Sequence, residues 1–203
     1  MKIPVVSAYS AEQRREMAEA KLDQFFVTVP TELKVRVNSL PARIARMNAR
    51  VSVKLQEVLR TTDALFDHAA GFAACAKGCG HCCHVSVPIA DFEARYIADS
   101  TKIEPVALKH SIRHDLDEFS EKTPCPFLQD GACSIYAVRP LTCRLHVNFD
   151  VDNYWCLHEN WKKPEAVIPR PTINALISAY HLLARKTEPV VADIRDFFPS
   201  GKQ

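Results

Sequence analysis

All eight cysteines of this 203-residue chain lie between residues 75 and 156, and four of them are packed into Cys75-Ala-Lys-Gly-Cys79-Gly-His-Cys82-Cys83. Zinc and iron–sulfur centres need about four soft, deprotonated ligands converging on a small volume, and short spacers let a loop wrap around the metal. Gly78 and Gly80 are expected to supply the tight turns and positive φ angles of that wrapping. Neighbouring side chains point apart, so one of Cys82 and Cys83 is expected to face a second site or a substrate. A second constellation follows: Cys125-Pro-Phe-Leu, Cys133-Ser-Ile-Tyr136, then Arg139-Pro140-Leu-Thr-Cys143-Arg144. Cys156 stands apart and reads equally well as a small core residue. Eight thiols suit two four-cysteine sites, or one site with spare thiols, and spacing alone does not partition them.

The compartment decides how such thiols are read. The first residues carry an apolar stretch that charge interrupts early, so no secretory signal is expected. No window reaches the run of about 18 apolar residues that a membrane helix requires. A cytoplasmic location is therefore expected, where clustered thiols serve as metal ligands or redox groups rather than as structural disulfides. A hydrophobic share of 47% with a charged share of 25% belongs to a globular chain, long enough to bury a core without a metal to replace it. The net charge of +2 points to no class of partner.

The scaffold and the chemistry are segregated. Residues 1–70 hold no cysteine and read as a helical region, 71–160 as a cysteine-cluster metal-binding domain, and 161–203 as C-terminal helices packing on that domain. Ser10 with Gln13 makes a capping box that opens a helix to about residue 26, before Pro30. Over 41–70, Ile44, Met47, Val51, Leu55 and Val58 recur at helical spacing, predicting one long amphipathic helix that stops at Gly71. Further helices are expected over 88–97, 104–121, 171–185 and 189–198. The stretch 124–171 shows no strong period beyond a turn near 135–138, and so long a loop needs a tie, which metal ligation would supply. Few glycines and few alternating β-branched runs argue against a large sheet. The expected fold is mainly α: an irregular Cys-rich metal-binding core packed with helices, and long N-terminal amphipathic helices.

The paired motifs CxxxCGxCC and CPFL…CSIYxxRPxxCR resemble the YkgJ family of cysteine cluster proteins, described as zinc- or iron-chelating domains. The resemblance covers about 72–146, and Cys75, Cys79, Cys82, Cys83, Cys125, Cys133 and Cys143 fall on the family's cysteines, with a first spacer of three residues where the family name has two. It implies metal chelation by those seven thiols, through an iron–sulfur cluster or a zinc or iron ion. A flagellin lysine methylase is similar in its cysteine motif, which implies a cluster-dependent S-adenosylmethionine protein methyltransferase as an alternative. A metal chaperone or thiol redox module is a third reading. Cys75, Cys79 and Cys82 also have the spacing of radical S-adenosylmethionine enzymes, but the chain lacks the strand repeats of that barrel.

Other residues rank below the cysteines. His81 and His84 flank the cluster and suit zinc or iron, although exposed loop positions are the simpler reading. His110 and His114 lie four apart on an expected helix without a third ligand nearby, and His146 and His158 are reserve ligands. Arg139 and Arg144 bracket Cys143, where positive charge favours thiolates, and Arg139 also suits a structural place before Pro140. Tyr136 reads as core or as a donor to a cluster sulfur. Arg43, Arg46, Arg50 and Lys54 form a basic strip read as a solvated face. Nucleic acid is not an expected partner, no membrane is expected, and a protein partner stays open.

Overall fold

A computed structural model describes residues 9–76, 78–114, 123–161, 163–166 and 168–199. The fold is mainly helical, as expected. Helices α1 (Ala11–Thr28), α2 (Thr31–Asn38), α3 (Leu40–Arg46) and α4 (Val51–His68) precede the first cysteine. Strand β1 (Pro88–Ala90) and helix α5 (Asp91–Thr101) follow the first cluster, then strands β2 (Leu128–Gln129) and β3 (Ala132–Cys133) and helix α6 (Leu141–Leu145). Helices α7 (His158–Trp161) and α8 (Asn174–Thr187), strand β4 (Val191–Asp193) and helix α9 (Ile194–Phe197) complete the order. Among the described residues, no helix is long and apolar enough to cross a membrane.

α1 begins at the expected capping box: Ser10 Oγ accepts from the Gln13 N–H at 3.2 Å and Gln13 Oε1 accepts from the Ser10 N–H at 2.9 Å. The single helix expected over 41–70 is instead broken into α3 and α4, because Met47 is extended and closes α3. The break lets both pieces lay apolar faces on α8. Leu40, Ile44, Leu55, Val58 and Leu59 meet Leu176, Ala179 and Leu183 in one apolar cluster, which Phe25 of α1 and Phe149 also join. Tertiary packing overrides a periodicity that would have continued.

The helices expected over 88–97 and 189–198 each start as a strand. β1 and β4 pair antiparallel, with Pro88 opposite Asp193 and Ala90 opposite Val191. Over the described part of 104–121 no helix forms, and residues 115–122 lie outside the described residues. That segment runs along the C-terminal strap instead: the Val106 N–H donates to the Phe197 carbonyl at 2.8 Å and the Ile112 N–H to that of Val191 at 3.0 Å. Inter-segment hydrogen bonds satisfy backbone groups that a helix would have used. β2 and β3 form a hairpin across Asp130 and Gly131, both at positive φ, as a two-residue type I′ loop requires.

A second apolar cluster gathers around these strands, from Val87, Ile89, Ile97, Phe127, Ile135, Ile194 and Phe197. Cys83 and Cys125 are buried within it, and Cys133 and Cys143 pack against it.

Candidate metal centre

The first cysteine loop turns at Gly78, whose φ of +88° meets the expectation of a left-handed hinge. Gly80 serves differently. Its φ is −110°, but a Cβ there would stand 2.8 Å from the Gly131 carbonyl oxygen and 2.9 Å from Leu128 Cδ1. The first cysteine loop therefore rests directly on the turn of the β2–β3 hairpin, and only glycine permits that approach.

From Gly80 the chain enters a 3-10 turn, His81–His84, that carries Cys82 and Cys83. The Cys125 N–H donates to the Cys83 carbonyl at 2.7 Å, joining the two cysteine motifs. A buried arginine from α9 clamps the junction. Arg195 Nη2 donates to the carbonyls of Cys83 at 3.1 Å and Val85 at 3.2 Å, and its Nε donates to the Thr123 carbonyl at 2.5 Å. Asp193 pairs with Arg195 Nη1 at 2.8 Å and accepts from the Val87 N–H at 2.7 Å. On the opposite side, buried Glu93 accepts from the Leu141 N–H at 2.9 Å and the Tyr180 hydroxyl at 2.5 Å, fixing the start of α6, which carries Cys143. Burial pushes the Glu93 carboxyl up.

These restraints bring together what the sequence separates. All eight cysteines line one cavity of about 330 Å3, and all eight are free thiols. The seven expected from the motifs are among them, and Cys156 is the addition. Its loop, 148–156, is tied down from α1 by Arg14, which is 1% exposed and donates through Nη1 to Asp150 at 2.9 Å and to Asp152 at 2.8 Å. The Tyr154 ring lies 4.4 Å from the Arg14 guanidinium carbon. Asn148 in the same loop bridges two thiols: its N–H donates to Cys75 Sγ and its Nδ2 to Cys156 Sγ, each at 3.4 Å.

Burial pushes Cys79 and Cys133 up and a hydrogen bond from Cys83 draws Cys125 down, while the backbone N–H groups of His81, Ile135 and Phe127 pull these three thiols toward the thiolate. Such bonds favour the thiolate that a metal requires. Other influences divide the thiols. A hydrogen bond from Cys83 holds Cys82 down at about 7, with the Arg139 charge assisting. Burial pushes Cys156 up to about 12 and Cys143 well above the ordinary thiol range. Hydrogen bonds to Cys125 and then to Cys82, with burial, push Cys83 up.

The two arginines beside Cys143 both reach Asp63 of α4, Arg139 through Nη2 at 3.9 Å, and differ in their other contacts. Arg139 lies over the Tyr136 ring at 3.8 Å, donates to the Tyr136 carbonyl at 2.7 Å, and its charge reaches Cys82 and Cys133. Arg144 is buried and braces the fold, donating to the carbonyls of Arg139 and Ala137 at 2.8 Å and pairing with Asp63 of α4. Tyr136 is 62% exposed, so it is not core.

His81 and His146 line the cavity, and His84 lies in a neighbouring pocket of about 420 Å3 that His81, Cys82, His146 and Cys156 share. Burial lowers His146 to about 4, leaving a neutral ring whose Nδ1 accepts from Arg170 at 3.0 Å. His110 and His114 are not on a helix, and His114 pairs with Asp196 at 2.9 Å. The basic strip is broken between α3 and α4: Arg43 pairs with Glu57, and Lys54 is 7% exposed.

The donor chemistry fits a thiophilic metal, with soft sulfur ligands, N–H donors to sulfur and arginine charge around one cavity. Among the described residues no three histidine, cysteine or acidic side chains stand ready to close on a single ion. The thiols line a space about eleven times the ~30 Å3 share of one water.

Arg14, Asp193 and Arg195 support the site from outside the cysteine motifs. Arg14 occupies an apolar stripe with Ala18 and Phe25, and Asp193 opens a capping box with Asp196, which are their local signals. Neither pattern names a partner.

Residues 74–163 match the model of the CxxCxxCC family, described as a "putative zinc- or iron-chelating domain". The resemblance seen in the cysteine motifs is borne out over that region, and it carries metal chelation in general. No curated protein and no solved structure matches the chain.

Proposed function

We propose that this CxxCxxCC-matching region makes the chain an iron–sulfur protein whose cluster chemistry is held by cysteine thiolates in the cavity that the first cysteine loop, the start of α6 and the 146–156 segment line. One observation carries this reading: all eight cysteines, drawn from segments far apart in sequence, converge on a single cavity of about 330 Å3. That is more sulfur, and more space, than one tetrahedral ion with Zn–S distances of about 2.3 Å uses. A bound cluster supplies one-electron redox chemistry whose potential depends on burial and on hydrogen bonds to sulfur. The chain's own residues set those terms. Asn148 and the N–H groups of His81, Phe127 and Ile135 donate to sulfur, Arg139 and Arg195 offset thiolate charge, and Phe127, Ile135 and Ile194 exclude water. Eight free thiols suit the reducing cytosol.

Anaerobic purification followed by iron, sulfide and zinc analysis tests this reading. Iron and acid-labile sulfide in equal amounts, with visible absorbance that bleaches on reduction, are expected. Stoichiometric zinc without sulfide replaces the cluster by zinc–thiolate chelation, and freely titrating thiols with no metal reject both.

The pocket beside Cys82 and Cys156 favours a second reading, a cluster-dependent methyltransferase that takes S-adenosylmethionine. Equilibrium dialysis of the metal-loaded protein should then show binding that Cys82→Ala abolishes, and no binding to the intact holo-protein removes it.

A further inference from the structure

The pocket of about 420 Å3 beside the thiol cavity lies between the 3-10 turn His81–His84, His146, residues 156–161 and Ile168. Hydrogen bonds within the chain fix its walls. The Phe149 N–H donates to the Pro169 carbonyl at 2.9 Å, tying residues 168–170 to the segment that carries His146. Asn160 of α7, 5% exposed, donates through Nδ2 to the Tyr154 carbonyl at 3.0 Å. A preformed space of this size has the dimensions of a small-molecule site.

Two of its imidazoles are set as hydrogen-bond donors. Arg170 can only donate, so His146 Nδ1, 3.0 Å from Nη1, accepts and the ring proton sits on Nε2. Asn153 Nδ2 donates to His81 Nε2 at 3.1 Å, which places that ring's proton on Nδ1. Among the described residues neither of these two ring N–H groups meets an acceptor. Both rings also line the thiol cavity, so they stand at the wall between the two spaces. The described lining holds no lysine or arginine, and Glu159 is exposed at its rim, so an anion finds no countercharge there. A cation would face two N–H donors. His81, His84, His146 and Trp161 make the lining rich in flat rings, which pack best on another flat ring.

We propose that this pocket binds an uncharged, planar heteroaromatic molecule through its hydrogen-bond acceptors, with His81 and His146 as the donors and Trp161 as the apolar wall. The inference shares its pocket with the methyltransferase reading but rests on neither that reading nor the cluster. Its ligand is selected by neutral acceptors and ring shape, and it lies against the wall that carries Cys82 and Cys156.

Calorimetric titration of the anaerobically purified full chain with three probes of one shape tests this: nicotinamide, its anionic counterpart nicotinate, and cationic 1-methylnicotinamide. Nicotinamide is expected to bind at least about tenfold more tightly than either ion. His146→Phe, which keeps a ring but removes the N–H, and Trp161→Leu should each weaken nicotinamide about tenfold. His146→Gln, which restores an N–H donor, should stay within about threefold of wild type. Tighter binding of either ion, or no nicotinamide binding at millimolar concentration, overturns the proposal; neither outcome depends on a variant that folds. Equal losses in His146→Phe and His146→Gln overturn the donor role. Metal and sulfide analysis of the same preparations separates this inference from the cluster reading. Nicotinamide bound by a metal-free chain rejects only the cluster, and a metal-loaded chain that ignores all three probes rejects only the pocket.

Discussion

The two halves of this molecule are held together by different physics. In the helical half, α3, α4 and α8 bury aliphatic side chains against one another, and Leu40, Leu55, Val58 and Leu176 are each at most 1% exposed. In the cysteine half, short strands and turns are fastened by buried charged and polar groups: Arg195 on three carbonyls, Glu93 on α6, Arg14 on the Cys156 loop. Apolar packing is non-directional and tolerates adjustment, whereas buried polar restraints fix positions and are costly when half removed. The contrast teaches that the helical half supplies stability and the cysteine half supplies geometry, with α1 and α8 reaching across to serve both.

That contrast can be broken by experiment, and the largest effect is expected from removing the metal. Chelation under reducing conditions should lower amide hydrogen-exchange protection by about a hundredfold or more across 75–156 while α3, α4 and α8 keep theirs. Equal loss in both halves would end the distinction. Next, Arg195→Ala leaves Asp193 buried without its cation and frees the junction between the cysteine motifs. A loss of about 3–5 kcal/mol by denaturant titration, together with reduced metal content, is expected.

Leu176→Ala tests the other half. It should cost about 2–5 kcal/mol through the cavity it leaves, with the metal-to-protein ratio unchanged in the folded fraction. Gly80→Ala forces the cysteine loop off the hairpin turn, and about 1–3 kcal/mol lost from thermal stability is expected, with slower metal reconstitution. The smallest effect belongs to Ser10→Ala, which removes the α1 cap: about 1 kcal/mol, with metal content untouched. A measurable metal loss there would show that α1 supports the Cys156 loop more tightly than the Arg14 contacts alone imply.

Much of the fold was legible where a local rule governed. The α1 capping box, the helix on 174–187 and the mainly helical character follow from propensity and period. The β1–β4 ladder was not legible, since Pro88-Ile-Ala and Val191-Ala-Asp are too short to show an alternation, and each strand exists only through its partner. The Asp130–Gly131 turn carried a recognisable signal that the irregular composition around it masked. The chain break at Met47 carried none, because it answers to the position of α8, more than a hundred residues later in the chain.

For the site, residue chemistry and spacing set the expectation that thiols at 75–83 and 125–143 act together on a metal, since soft donors at short spacers suit thiophilic ions. The tertiary structure decided the rest: that Cys156 lines the same cavity, that Arg139 and Arg144 both reach Asp63 of α4, and that Cys83 sits in the apolar cluster with its thiol meeting both Cys82 and Cys125. Spacing along a chain records which ligands a loop can present. Which of them share a centre depends on distances between segments, and those are set only when the helices pack and Arg14, Glu93 and Arg195 draw the loops together.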